Sequence, residues 1–233
     1  MISTLKSNTT INSNLEEMFI LQKRLNESTN GKNWELGINK FDKNINWLRC
    51  IHMEISELIE STPWKHWKNI SNKLDIDNIK IELVDIWHFI MSYILQETNI
   101  PKSVFICQKY TQYDIVDECN IVDIINESEK LSYICFSIQI ENINSNIIIE
   151  NLIKQYFKLC SICKLDFNTL FKLYIGKNTL NKFRQDHGYK EGTYTKIWNH
   201  EEDNIVMMRL LYNLEDINID TLYTKLKDYY NKL

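Results

Sequence analysis

Two pairs of carboxylates stand at the same spacing in the first hundred residues, Glu54 with Glu57 in the stretch 50–61 and Glu82 with Asp85 in 79–95. On a helix, residues three apart lie on one face, so each pair can direct both carboxylates into the same space. Their surroundings are apolar: Ile51, Met53, Ile55, Leu58 and Ile59 flank the first pair, and Ile81, Leu83, Val84, Ile86, Trp87 and Phe89 flank the second. An ionised carboxylate in such company is costly unless a cation offsets its desolvation. Four oxygen donors converging between two packed helices would form a site for a hard divalent cation, most naturally Mg2+. The competing readings are an ordinary solvated Glu-x-x-Glu face and a structural ion-pair cluster. Arg49 and Lys80 are the nearest basic residues, so a metal is the better counter-charge.

The C-terminal half supplies the complement. In LYIGKNTLNKFRQDHGYKEGTYTKIW, residues 173–198, Lys177, Asn181 and Arg184 fall at helical spacing on one face, and Gly188 and Gly192 open a loop that holds Tyr189, Lys190, Tyr194 and Lys196. Such a set suits a polyphosphate held by a bidentate Arg and point-charge Lys. Taken alone, it reads equally as a helix ending in a solvated basic loop. Its pairing with four carboxylates favours phosphate.

The elements that must position these groups are helices. Only 5 Gly and 2 Pro occur in 233 residues, too few for a strand-and-turn architecture. Apolar spacing predicts helices at about 13–28, 45–61, 79–98, 115–138, 145–165, 167–186, 200–214 and 218–231. The stretch from Ile100 to Tyr113, with Pro101 near its start, reads as the main connection between an N-terminal and a C-terminal bundle. With 44% hydrophobic residues the chain can bury a large core, in one domain or two fused halves.

A net charge of −4 and a pI near 5.8 argue against a nucleic-acid binder. No apolar run reaches membrane-spanning length, and the N-terminus MISTLKSNTTINSN lacks an apolar signal core; a soluble protein of the cytoplasm or another intracellular space is expected. Cys160 and Cys163 form a C-x-x-C, but no second pair or well-spaced His completes a zinc tetrad, so two buried thiols on a helix are expected. The abundance of Asn, Ile and Lys carries no functional reading.

The chain closely resembles the dimeric, all-α dUTP pyrophosphatases (dUTPases), relatives of the MazG-like nucleoside triphosphate pyrophosphohydrolases. The resemblance runs through LNESTNGKNWELGINK (25–40), INWLRCIHMEISELIESTPWKHWK (45–68), IELVDIWHFIMS (81–92), residues 173–198 quoted above and EDN (202–204), and leaves roughly 105–165 weakly matched. The acidic pattern alone marks the wider superfamily; KFRQDHGYKEGTY together with PWKHWK is more specific. The resemblance implies one all-α domain over 1–233, a helical bundle of the all-α NTP pyrophosphohydrolase type with additional helices. An N-terminal half at about 13–99, a middle at about 100–165 and a phosphate-binding half at about 166–233 would compose it, and a homodimer would be its assembly.

The same resemblance implies that Glu54, Glu57, Glu82 and Asp85 ligate Mg2+, and that Lys177, Asn181, Arg184, Tyr189 and Lys196 contact phosphates, with Lys190 a weaker candidate. Gln22 and Asn26, one helical turn apart, match the polar base-binding group of the first helix; Trp64, His88 and Asn204 complete the expected base and sugar pocket. A lone His on an apolar helix is as readily a satisfied core residue. An amide can pair with the O4/N3 edge of uracil, whereas cytosine presents the opposite donor and acceptor pattern and leaves a buried partner unpaired. The expected reaction is Mg2+-assisted attack of water on dUTP, and on dUDP, with Glu57 as base.

Other classes compete. The runner-up is a related helical pyrophosphohydrolase acting on dCTP or another nucleotide. A di-iron carboxylate bundle needs two E-x-x-H motifs, and the nearest match is a single Asp85-x-x-His88. An HD-type phosphohydrolase needs His-Asp, present only in reverse at Asp186-His187. A non-enzymatic helical interaction module leaves the acids and the basic loop unexplained.

Overall fold

The computed structural model describes residues 2–68, 74–141, 145–214 and 217–233, and these are helical almost throughout. Among the described residues nine α-helices run in chain order: α1 (Ile2–Asn30), α2 (Trp47–Glu60), α3 (Ile76–Glu97), α4 (Ile100–Cys107), α5 (Ile121–Glu141), α6 (Ser145–Ile162), α7 (Phe167–Asp186), α8 (Asp203–Tyr212) and α9 (Ile219–Tyr230). A 3-10 turn at Trp34–Leu36 follows α1, and a minimal antiparallel pair, β1 (Ile197–Trp198) with β2 (Glu201–Glu202), precedes α8. No helix among the described residues is long and apolar enough to cross a membrane. The chain divides into two compact units, Met1–Phe167 and Asn168–Leu233.

The first unit is organised around α3, which packs on α1, α2, α4, α6 and the 3-10 turn. Its sequence is apolar on every side, and a helix of that kind is buried on every side: Ile79, Leu83, Val84, Ile86, Trp87, Ile90, Met91 and Ile94 are all fully inaccessible. Trp87 stacks on Tyr156 of α6 at 5.0 Å between ring centres and 16° between planes, and meets Phe19 of α1 edge-on at 6.5 Å. Each such aromatic adds about 0.5–1.5 kcal/mol beyond the area it buries, so the Trp87 stack ties three helices together. The abundant Asn finds a use in starting helices: Asn46, Asn99 and Asn218, with Asp75, each accept a hydrogen bond from a backbone N–H of the following helix's first turn. A cap of this type contributes roughly 1 kcal/mol.

The stretch expected as a connection, Ile100–Tyr113, is half helix. Asn99 caps α4, and Pro101 occupies the first turn, where a missing N–H costs nothing. The expected helix at 115–138 begins only at Ile121, because the preceding segment is bound to the end of α6 instead: Val116 donates from its N–H to the Ser161 carbonyl at 3.3 Å, and the Ser161 hydroxyl donates to the Asp114 carbonyl. Between α5 and α6, Glu127 accepts from Lys130 at 2.6 Å, Gln155 at 2.8 Å and Lys158 at 2.9 Å. Burial raises its carboxyl pKa, but these three donors outweigh it and hold the group down at about 2. Cys160 and Cys163 are fully buried as expected, and burial pushes the Cys160 thiol up to about 12, which leaves it unreactive.

In the second unit, α7 and α8 approach closely at Gly176, where an added Cβ would meet Met207 Sδ at 2.6 Å and Leu211 Cδ2 at 2.9 Å. Phe183, His187, Tyr194, Trp198, Tyr223 and Tyr230 form one continuous ring cluster that includes a His187–Phe183 stack at 3.8 Å. The loop after α7 turns at Gly188, whose φ of +86° and whose contact with Thr193 Oγ1 both exclude a side chain.

Candidate active site

The packing of α2 on α3 brings the acids together. Glu54, Glu82 and Asp85 each offer a carboxylate oxygen, and these three oxygens lie within 4.8 Å of one another at half-buried positions. The end of α2 is pinned to the start of α3 beside them: Ser61 donates twice to the Glu57 carbonyl, at 3.0 Å from both its N–H and its hydroxyl. Asn78 then donates to Ser61 Oγ at 2.7 Å and to Glu82 Oε1 at 3.4 Å. Glu82 is thus oriented from α2 as well as from its own helix.

The donor set fits a hard divalent cation. Mg2+ holds oxygens at about 2.0–2.1 Å in an octahedron, so ligands on opposite sides stand about 4.2 Å apart. Glu57 does not belong to the group of three. It is exposed on α2, because three residues advance a helix by about 300° and place residue 57 about 60° round the axis from residue 54.

Gln22 and Asn26 of α1 meet His88 of α3 in a buried polar cluster, and the structure adds a fourth member, Ser92. Gln22 Nε2 donates to Asn26 Oδ1 at 3.0 Å and to Ser92 Oγ at 3.0 Å. Asn26 Nδ2 donates to the same hydroxyl at 3.0 Å, and His88 Nδ1 lies 2.6 Å from Gln22 Oε1. All four residues are 4% exposed or less, a burial that polar groups tolerate only when hydrogen-bonded. Trp64 is part-exposed, with its indole N–H on Glu60 Oε2 at 3.2 Å and its ring edge-on to Trp67 at 5.3 Å. Lys65 pairs with the same Glu60.

In the second unit, Lys177, Asn181 and Arg184 do share one face of α7, and α8 completes the group. Lys177 Nζ donates to Asn204 Oδ1 at 2.9 Å; Arg184 reaches Asn181 Oδ1 at 3.3 Å and Asn204 Oδ1 at 3.4 Å. Asn204, expected in the base pocket, therefore sits between the two cations. Asp203, 1% exposed, takes Arg184 in a two-pronged ion pair, Nε to Oδ2 at 2.8 Å and Nη2 to Oδ1 at 2.7 Å. It also accepts from the Tyr194 hydroxyl at 2.8 Å. Burial, and then this bond to a carboxylate, push the Tyr194 hydroxyl well above its ordinary range. Tyr189 is exposed, with Arg184 and Lys196 at 6.0 and 5.5 Å from its ring centre; Lys190 and Lys196 are exposed as well.

Sequence reasoning missed Ser92 and Asp203. Ser92 lies one turn beyond His88, a spacing that could have marked it. Asp203 lies inside the EDN block at 202–204, directly beside Asn204.

A family model described as dUTPase matches residues 14–189. The match takes in the acids of α2 and α3, the amide cluster and the face of α7. It also runs through 105–165, where the motifs gave little. No curated protein matches the chain.

Proposed function

Because the chain belongs to the all-α dUTPase family, a family of nucleotide hydrolases, we propose that it is a Mg2+-dependent dUTP diphosphatase that converts dUTP to dUMP and pyrophosphate and acts also on dUDP. The observation that supports it most is the meeting of Glu54, Glu82 and Asp85 between α2 and α3. Three carboxylates whose oxygens lie within 4.8 Å of one another form a group that a cation stabilises when it joins them.

In this reading Glu54, Glu82 and Asp85 hold Mg2+, with Glu57 one turn along α2 completing the ligands. When bound, the ion offsets the negative charge of the polyphosphate. Lys177, Asn181, Arg184, Tyr189 and Lys196 bind phosphate oxygens, with Lys190 in a lesser role, and the Arg184 guanidinium is held rigid for this by Asp203. Gln22, Asn26 and His88 read the base edge, with Trp64 and Asn204 contacting base or sugar. Glu57 takes a proton from the attacking water as its oxygen bonds to the β-phosphorus. The bond from that phosphorus to the α,β-bridging oxygen breaks, dUMP leaves with the bridging oxygen, and the incoming oxygen ends in pyrophosphate. The active form in this proposal is a homodimer.

A panel of nucleoside triphosphates assayed with and without Mg2+ tests the proposal. Release of dUMP and pyrophosphate from dUTP, absent with EDTA, is the expected result. Preference for dCTP would transfer the chain to the neighbouring pyrophosphohydrolase reading, and no hydrolysis of any nucleotide would refute both.

A further inference from the structure

The hydroxyl of Ser92 has its capacity filled. Its proton goes to the His88 carbonyl at 2.7 Å, one turn back on α3, in preference to the longer contact with Asn26 Oδ1 at 3.3 Å, and its two lone pairs accept from Gln22 Nε2 and Asn26 Nδ2, both at 3.0 Å. A hydroxyl has one donor and two acceptor positions. The consequence is directional. Ser92 meets both amides as an acceptor, so both must turn their NH2 groups toward it.

That constraint propagates through the cluster. With its nitrogen on Ser92 and on Asn26 Oδ1, the Gln22 amide must present its oxygen to His88, and His88 Nδ1 at 2.6 Å must carry the proton. Rotating the Gln22 amide by 180° would set its oxygen against two acceptors, Ser92 Oγ and Asn26 Oδ1. Amide O and N are nearly identical in shape, so only their partners fix which is which. At 0% exposure, Ser92 fixes both from within the packed cluster.

We propose that Ser92 is a positioning residue that sets substrate selectivity: by locking the Gln22 and Asn26 amides in one orientation, it commits the pocket to the uracil edge over the cytosine edge. This rests on the reading that Gln22 and Asn26 contact the base. Uracil and cytosine differ at that edge by an exchange of donor for acceptor, the same exchange that an amide rotation makes. A pocket with fixed amides rejects the wrong base because a buried partner is left unpaired. A pocket with free amides adapts to either.

The test compares kcat/KM for dUTP and for dCTP on a single preparation, so that any loss of folded protein cancels in the ratio. Ser92→Ala should lower the dUTP/dCTP ratio at least about ten-fold, largely by raising dCTP turnover, and Gln22→Ala measured alongside should lower it too. A Ser92→Ala ratio within two-fold of wild type, with Gln22→Ala reduced, would overturn the role of Ser92 and leave the pocket reading standing. Unchanged ratios in both would refute the pocket reading itself. Should Ser92→Ala fail to fold, Ser92→Cys, which keeps a hydrogen-bonding atom at the position but a weaker acceptor, serves instead: a reduced ratio supports the proposal and an unchanged one overturns it.

Discussion

The acidic group on α2 and α3 and the basic group on α7 and α8 handle charge in opposite ways. Glu54, Glu82 and Asp85 gather three like charges at half-buried positions, an arrangement that improves when a cation arrives. Arg184 carries its own counter-ion: Asp203 is almost completely buried against it in a two-pronged pair, and Asn204 joins it to Lys177. The difference is between like charges gathered at one place and a cation held in a rigid ion pair. An Arg so held gives up some of its pull on an anion and gains fixed direction, which favours orientation of a phosphate over raw affinity.

That contrast breaks most visibly at the acids. Asp85→Asn should reduce dUTP turnover by about 1,000-fold or more, roughly 4 kcal/mol of barrier, and remove the Mg2+-dependent rise in melting temperature. Steady-state kinetics and calorimetry on the same sample check both halves; turnover near that of wild type would remove Asp85 from the metal site. In the second unit the expected loss is of stability itself. Asp203→Ala leaves a buried guanidinium unpaired and should destabilise the protein by about 3 kcal/mol, read as an earlier chemical-denaturation midpoint.

Glu127 sharpens the comparison as an acid with a purely structural task. Its folded pKa of about 2 lies below the ordinary 4.5. Its stabilisation is therefore complete above about pH 4.5 and is lost as pH falls through about 2. Glu127→Gln should cost about 1–2 kcal/mol at neutral pH and flatten the acid limb of the stability curve, with Mg2+ binding untouched. The smallest effect belongs to the exposed Lys196: Lys196→Ala should raise KM a few-fold with little change in kcat, and added salt should narrow the gap.

Spacing and local chemistry carried most of this into the sequence. The uniform apolarity of 79–95 gave α3 within three residues at either end, and the three-residue spacing of acids gave Glu54, Glu82 and Asp85. Gln22, Asn26 and His88 were singled out by the family resemblance, and the structure brings them together in one buried cluster. What could not be read depends on tertiary partners. Glu57 shares the Glu-x-x-Glu spacing with Glu54, yet letters do not say how far round α2 the contact with α3 extends. Pro101 signalled a break but equally opens a helix, and only the cap at Asn99 decides for α4. Ser92 and Asp203 bond to neighbours 66 to 70 and 19 positions away, so the one-turn spacing of Ser92 from His88 marks its face but not those partners.

The most direct measurement is calorimetric titration of Mg2+ into the nucleotide-free wild-type protein and into Glu82→Gln, with melting followed in parallel. Saturable binding and a Mg2+-dependent rise in melting temperature in the wild type, both lost in Glu82→Gln with its fold intact, is the predicted result. Equal binding by the two proteins would contradict the claim that Glu54, Glu82 and Asp85 form the metal centre.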